Sequence, residues 1–169
     1  IEKLRTQISR KLSIMVRYNQ SRIDYLEKFQ RMIEEYNAGS VNLEEFFAQL
    51  MAFAQSLNEE EKRGISENLL EEELALFDLL TKPEPKLKKS EEVQVKKVAK
   101  NLLETLKREK LVLDWRKRQQ TRQAVRVCIE EILDQLPPLY TPDLYQTKCQ
   151  LTYQHVYDSY FGEGKSIYA

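Results

Sequence analysis

Hydrophobic residues recur at intervals of three and four positions along most of the chain, which is the spacing of an amphipathic helix. The alternation of apolar and polar residues that marks a half-buried strand is nearly absent, and only 4 glycines and 5 prolines interrupt the 169 residues. We therefore expect an all-α fold, with about seven or eight helices that form a single irregular helical bundle domain over residues 1–169.

Capping residues predict where these helices begin. A break is expected near Tyr18–Ser21, and a single helix that continues to Tyr36 is the alternative. Further helix starts are expected at residues with a capping side chain, namely Asn42, Asn58, Ser90, Asp114 and Thr141. The last helix, which Thr141 starts, is expected to end at Gly162.

The densest apolar cluster, residues 69–80, is expected to be buried on nearly all sides. Pro83 and Pro85 follow it and stop its helix. Residues 82–90 are therefore the candidate linker and the candidate subdomain division.

The start of the chain, its apolar runs and its two cysteines indicate the cellular compartment in which we expect the protein. It opens IEKLRTQISRKL, with neither an initiator methionine nor a signal-peptide layout, so we expect a fragment of a longer, cytoplasmic polypeptide. No apolar run approaches the ~20 residues of a membrane span, and no membrane partner is expected. Cys128 and Cys149 lie in helical patterns, which predicts buried, reduced thiols rather than a disulfide or a metal site.

The formal net charge of zero conceals a segregation of charge along the chain. Residues 34–84 contain thirteen acidic and three basic residues, whereas residues 86–126 contain fourteen basic and five acidic residues. Opposite blocks of this kind either pair within a fold or present one acidic and one basic face. An argument for nucleic-acid binding therefore fails for the whole chain and holds only locally.

The most distinctive segment is Leu111–Arg126, which reads LVLDWRKRQQTRQAVR. The only tryptophan, Trp115, precedes its five cations, which are Arg116, Lys117, Arg118, Arg122 and Arg126. If a helix opens at Trp115, then Trp115, Arg118, Arg122 and Val125 lie on one line, and arginines interrupt the stripe that should face the core. Two interpretations are equally supported: the arginines pair with carboxylates inside the fold, or they face an external partner.

Residues that imitate catalytic motifs have the wrong surroundings. The sequence from Gly164 reads GKS, but a phosphate loop needs a glycine where Ser159 stands. Asp78 and Glu84 imitate the carboxylates of a metal-dependent nuclease, but the prolines predict a solvated turn there. The only histidine, His155, has no partner at ligand spacing and is expected to be packed. We expect no catalytic, metal-binding or cofactor-binding residue.

Tyrosines on the last helix complete the candidate site. Tyr153, Tyr157 and Tyr160 follow helical spacing, which favours the core or its edge, and stacking on nucleic-acid bases is the alternative. The hypothetical partner-binding residues are Trp115, Arg116, Arg118, Arg122, Arg126, Tyr153 and Tyr157.

The combination of EEYNAGS, LDWRKRQQ and QHVYDSY resembles one protein family. It is similar to the C-terminal helical domain of the R (motor and endonuclease) subunit of type I restriction enzymes. The matching stretches lie in residues 22–47, 74–85, 107–137, 140–149 and 153–169. One departure is Leu70, which stands where the pattern calls for a small capping residue, so the start of that helix is uncertain in the resemblance.

The resemblance implies an assembly role rather than catalysis. The longer protein is expected to use ATP and magnesium, but the family's metal-binding acids, phosphate loop and helicase motifs find no matching residues here. The implied partners are the M and S subunits of the methyltransferase and the motor domains of the same polypeptide. We expect a non-catalytic docking module; the alternative is a surface that contacts duplex DNA and guides it to the motors.

Overall fold

The computed structural model describes all of residues 1–169 and divides them into two compact units, Ile1–Glu71 and Glu72–Ala169. It contains seven α-helices, which confirms the all-α fold. The first three are α1 (Glu2–Tyr18), α2 (Ile23–Asn37) and α3 (Leu43–Ser66). The others are α4 (Glu71–Thr81), α5 (Lys89–Thr105), α6 (Gln119–Leu133) and α7 (Pro142–Ser159). A small antiparallel hairpin follows, formed by β1 (Tyr160–Gly162) and β2 (Lys165–Ser166).

The first unit is a three-helix assembly. Its apolar stripes meet in one core, which consists of Ile8, Leu12, Met15, Phe29, Met32, Phe46, Leu50, Phe53 and Leu57. The predicted break between α1 and α2 is confirmed, because the Asn19 side chain accepts the Ser21 backbone N–H at 3.1 Å and the chain turns there. At the start of α3, the Asn42 side chain accepts the Glu45 backbone N–H at 2.8 Å, also as predicted.

The prediction of a separate helix from Asn58 is wrong, because α3 continues without a break to Ser66. Leu57, just before this point, is fully buried, and the buried face of α3 continues beyond it through Glu60 and Gly64. Lys11 on α1 donates to the Asn58 side chain, so this asparagine makes a contact across helices instead of capping its own. A local capping signal is thus overridden by packing.

A buried ionic cluster lies beside the core of the first unit. Arg22 is only 2% exposed, and its Nε donates to Glu60 at 2.9 Å. Arg22 also pairs with Glu71, and Arg63 donates to both oxygens of Glu60 at 2.9 Å. Burial acts to lower the pKa of Arg22, but the hydrogen bonds to Glu71 and Glu60 outweigh it and raise that pKa. The cluster is internally neutralised, as a buried charge requires.

The second unit surrounds α4. The helix is buried on nearly all sides, as predicted for the apolar cluster, and its end at Thr81 is consistent with the two prolines that follow. Lys148 on α7 is 2% exposed, and its Nζ donates to the carbonyl oxygens of Leu79 at 2.8 Å and Lys82 at 3.0 Å. A buried amine therefore satisfies carbonyls at the C-terminal end of α4. Residues 82–90, the candidate linker, connect α4 to α5 inside this unit.

Two further boundaries differ from the prediction. α5 begins at Lys89, so Ser90 lies within the helix and does not cap it; the Glu91 carboxylate accepts the Lys88 backbone N–H at 2.9 Å instead. α7 begins at Thr141–Pro142 as predicted, with the Thr141 hydroxyl accepting the Leu144 N–H at 3.3 Å, but it ends at Ser159 rather than Gly162. Tyr160 and the residues after it form the hairpin instead.

Cys128 and Cys149 are both buried free thiols, so their predicted burial is confirmed. None of the helices combines the length and the apolar composition needed to cross a lipid bilayer.

Candidate partner-binding surface

The segment Leu111–Arg126 does not form one helix. Residues Trp115–Lys117 make a single tight helical turn, and α6 begins only at Gln119. Asp114 directly precedes this turn in a left-handed conformation with φ 55°, but its side chain makes no capping hydrogen bond, so the prediction that it caps a helix opening at Trp115 is wrong. Arg118 is extended, with φ −118° and ψ 136°, which separates the tight turn from α6. The predicted straight line of Trp115, Arg118, Arg122 and Val125 therefore does not exist.

Trp115 is fully buried and does not form part of an exposed surface. Its indole N–H donates to the Tyr160 carbonyl at 3.1 Å. The rings of Tyr153 and Tyr157 meet it nearly edge-to-face, with centroids at 6.3 Å and 5.9 Å. This arrangement is favourable for aromatic pairs, and the buried Trp115 ring supports both tyrosine rings.

The hairpin is fitted against the loop that precedes Trp115. The Glu163 backbone N–H donates to the Leu111 carbonyl at 3.0 Å. Gly162 has φ +99°, and a Cβ there would lie 2.4 Å from the Val112 carbonyl oxygen. Only glycine allows this approach, since any side chain would collide with the backbone.

Two of the arginines lie over aromatic rings. The Arg126 guanidinium carbon is 3.7 Å from the centroid of the Tyr153 ring. That of Arg116 is 5.2 Å from the Tyr157 centroid and 4.8 Å from the Phe161 centroid. The Tyr153 and Tyr157 rings are themselves 6.2 Å apart, so these five residues form a continuous series, here called the arginine–aromatic stack.

Backbone carbonyls anchor three arginines. Arg116 donates to the Tyr157 carbonyl at 3.1 Å, and Arg122 donates to the Arg116 carbonyl at 2.8 Å. Arg118 donates to the Leu113 carbonyl at 3.2 Å. Each contact uses only part of a guanidinium group, which has five N–H donors.

No carboxylate oxygen lies within 4.0 Å of a guanidinium nitrogen of Arg116, Arg118, Arg122 or Arg126. The fifth cation, Lys117, does pair with Asp114, at 3.5 Å and on the surface. Of the two interpretations from the sequence, pairing with internal carboxylates is therefore wrong for these four arginines. Their anchors are uncharged, so their positive charge is not neutralised within the domain.

Exposed apolar side chains lie beside the arginines. Val112 is 42% exposed, Leu113 is 54% exposed and Phe161 is 37% exposed. Arg116 covers the Phe161 ring, and Arg118 binds the Leu113 carbonyl, so the apolar and cationic groups occupy one surface. We call this surface, made of the arginine–aromatic stack, Arg118, Arg122, Val112 and Leu113, the arginine surface.

The residues that imitate catalytic motifs are not part of a recognisable catalytic or metal-binding cluster. The GKS sequence forms the exposed hairpin, with Lys165 and Ser166 in β2. Asp78 is fully buried on α4, so the expectation of a solvated turn is wrong for it, although Glu84 is exposed. No group of three or more His, Cys, Asp and Glu side chains is arranged to hold a metal ion.

His155 is packed, as predicted. Its Nδ1 lies 3.4 Å from the Ser159 hydroxyl, and its ring meets that of Tyr160 nearly edge-to-face. Burial lowers the pKa of His155 to about 4, with Asp158 acting weakly in the opposite direction. The imidazole is therefore neutral near pH 7 and supports the packing of α7 against the hairpin.

Sequence reasoning missed a second set of contacts that supports the surface. The Tyr160 hydroxyl donates to Glu72 at 3.0 Å, and Lys107 pairs with the same carboxylate. Burial raises the pKa of Tyr160 far above its usual value. These residues are 35 or more positions apart, so no local pattern reveals them. The G-x-G spacing of Gly162 and Gly164 was the one available signal of a turn after α7.

Comparison with known proteins agrees with the resemblance seen in the sequence. The model of the family "type I restriction enzyme HindI endonuclease subunit-like, C-terminal" matches residues 1–158. A curated protein of Methanocaldococcus jannaschii, described as the type I restriction enzyme MjaIXP endonuclease subunit, is 26% identical over 109 residues. That alignment covers 64% of this chain but only 10% of the relative. No solved structure matches. The chain belongs to the family of C-terminal domains of type I restriction enzyme endonuclease subunits.

Proposed function

We propose that this domain is a non-catalytic docking module that attaches the endonuclease subunit of a type I restriction enzyme to its methyltransferase, which is built of M and S subunits. The observation that carries the proposal is the arginine surface, where four guanidinium groups have no carboxylate neighbour. A fold that needed these charges only for its own stability would pair them internally, as it does at Arg22.

Three of the arginines already make contacts within the domain, which favours association. An arginine side chain loses up to about 2 kcal/mol of conformational entropy when a partner immobilises it. Arg116 and Arg126 are already held by ring faces, and Arg122 by a carbonyl. Arginine and aromatic residues dominate the energetics of known protein interfaces.

Nuclease, ATPase and translocation activities belong, in this proposal, to other parts of the longer polypeptide. ATP and magnesium would act there, in the cytoplasm, and this domain would only hold the motor domains of its own chain against the methyltransferase.

The test compares the full-length endonuclease subunit with a version from which this domain is deleted. Both are mixed with purified M–S methyltransferase, and complex formation is followed by size-exclusion chromatography. The deletion is expected to abolish the complex while ATP hydrolysis by the motor domains persists. A deleted subunit that still forms the complex contradicts the docking function.

The same uncompensated arginines favour a second candidate, a surface that contacts duplex DNA and guides it to the motors. Binding of that kind releases counterions and must weaken steeply as salt concentration rises. Fluorescence anisotropy with a duplex of random sequence, at about 50 and 200 mM salt, measures it. The candidate is rejected if deletion of the domain leaves DNA affinity and its salt dependence unchanged.

A further inference from the structure

We infer that the arginine surface recognises an acidic protein segment that carries carboxylates together with at least one apolar side chain. The inference rests on the docking function proposed above and specifies the chemistry of the partner at that same surface. It follows from three properties of the surface, which are its charge, its apolar rim and its use of arginine as the cation.

The charge requires an anionic partner. Arg116, Arg118, Arg122 and Arg126 are anchored by carbonyls and rings, neither of which removes their positive charge. A neutral or basic partner would bury these cations without compensation, which costs several kcal/mol per ion. Carboxylates of a partner would supply the charge-assisted hydrogen bonds that the domain itself does not provide.

The apolar rim favours a protein over a nucleic acid. Val112 and Leu113 are aliphatic and about half exposed, at 42% and 54%, and they lie next to the cations. A phosphodiester backbone offers such side chains nothing to pack against, and most protein–DNA contacts in a positively charged surface go to phosphates. A protein segment that places an apolar residue between acidic residues matches both parts of the surface.

The choice of arginine favours carboxylates that bind by two hydrogen bonds. The guanidinium carbon of Arg126 lies 3.7 Å from one ring centroid, and that of Arg116 lies 5.2 Å and 4.8 Å from two, and neither arginine has a carboxylate neighbour in the domain. The planar fork of a guanidinium pairs with a carboxylate through two hydrogen bonds, and a lysine ammonium cannot reproduce it. Replacement of these arginines by lysine therefore keeps the charge but removes the recognition.

The experiment uses the full-length endonuclease subunit and measures the Kd for M–S methyltransferase by biolayer interferometry. The variants are Arg118→Ala with Arg122→Ala, Arg116→Lys with Arg126→Lys, and Leu113→Ser. The matched control is Lys97→Ala, which removes one exposed cation from α5 in the same unit. Circular dichroism and thermal unfolding verify that each variant is folded.

We expect the alanine pair to raise Kd about tenfold or more, the lysine pair nearly as much, and Leu113→Ser about threefold. Lys97→Ala should leave Kd unchanged. Chemical crosslinking from Leu113→Cys should then reach a partner segment rich in aspartate and glutamate.

Failure of the inference differs from failure of the docking function. If the wild-type subunit does not bind the methyltransferase, the docking function is wrong. If it binds, but the alanine pair binds equally well, docking stands and the arginine surface is not its site. If the lysine pair behaves as wild type, recognition by forked carboxylate contacts is wrong. If the variants lose duplex DNA binding instead of methyltransferase binding, the partner is nucleic acid and the inference is overturned.

Discussion

Arginine has two different roles in the two units of this protein. In the first unit, Arg22 is 2% exposed and contacts the carboxylates of Glu60 and Glu71. In the second unit, Arg116 and Arg126 lie over aromatic rings, and neither has a carboxylate neighbour. The surroundings of a guanidinium therefore separate a charge that is neutralised within the fold from one that is not, which residue type alone does not do.

The energetic consequences differ as well. Removal of Arg22 takes one cationic partner from the buried carboxylate of Glu60 and leaves the partly exposed Glu71 without its ion pair, and loss of one partner from a buried pair is costly. Removal of a surface arginine such as Arg118 strands only a carbonyl, which water can reach because Arg118 and Leu113 are both exposed. The comparison can be tested directly, since the same substitution can be made in both units.

The largest effect is expected from Arg22→Met, which should lower the free energy of unfolding by about 3–5 kcal/mol. The reason is that Glu60 keeps only Arg63 as a cationic partner, and Glu71 loses its ion pair with Arg22. Urea denaturation followed by circular dichroism measures the change. Arg17→Met on exposed α1 surface is the control, and equal effects of the two substitutions would contradict the structural role of Arg22.

Acid should weaken the second unit before the first. The pKa of His155 is about 4 in the folded state and about 6.5 when unfolded, so the unfolded state takes up a proton first as pH falls. The contribution of the neutral, buried imidazole to the free energy of unfolding is complete above pH 6.5. It is lost as the pH falls towards 4, by up to about 3 kcal/mol. Burial acts to raise the pKa of Glu60, but its arginine hydrogen bonds outweigh this and lower it, so the loss in the first unit begins only below about pH 4.5.

Amide hydrogen exchange, resolved for each unit between pH 4 and pH 7, measures this difference. His155→Gln should flatten the pH dependence of the second unit and leave that of the first unit as it is. If both units lose protection over the same pH window in the wild type, the assignment to His155 is wrong.

A smaller effect is expected from Gly162→Ala, which should cost about 2–3 kcal/mol. The added Cβ would meet the Val112 carbonyl oxygen at 2.4 Å and displace the hairpin from the arginine surface. Gly164→Ala is a close control, because Gly164 also has a positive φ, +79°, but nothing lies within 4 Å of its Cβ position. It should cost about 1 kcal/mol, and thermal unfolding of both variants distinguishes collision from backbone strain alone.

The smallest effect is expected from Arg118→Met, which should change the free energy of unfolding by less than about 0.5 kcal/mol. The same substitution at Arg22 is then at least six times as costly, by the estimates above. Urea denaturation of the two variants side by side makes the comparison. A large loss of stability in Arg118→Met would place this arginine among the structural charges instead.

Starts of helices and turns that depend on a local capping hydrogen bond were predictable from the sequence. Asn42 and Thr141 each cap the α-helix that follows, and Asn19 caps the short turn between α1 and α2, because a side-chain oxygen two or three residues away satisfies a backbone N–H. Asn58 has the same capping chemistry but lies inside α3, where Lys11 from another helix takes its side chain. The sequence neighbourhood of these asparagines does not reveal which of them a distant residue will contact.

The sequence indicated which residue types form the candidate surface but not how those residues are arranged. The arginines and tyrosines were identified from their residue types and helical spacing. Trp115 was expected at the surface, yet its indole N–H is bound by Tyr160, 45 residues along the chain. No local pattern reveals a contact over that separation. The hairpin that begins at Tyr160 was missed because Tyr153, Tyr157 and Tyr160 follow helical spacing, which extended the predicted helix to Gly162.

The enclosure of Lys148 has a practical consequence for following the motion of this protein. Its Nζ is held by the Leu79 and Lys82 carbonyls and is shielded from solvent, and burial lowers its pKa. An amine-directed reagent such as an N-hydroxysuccinimide ester can therefore modify Lys148 only when α7 separates from the end of α4. Exposed lysines such as Lys97 react at once and supply an internal standard. The rate at which Lys148 is labelled, measured by mass spectrometry, thus reports how often the second unit opens.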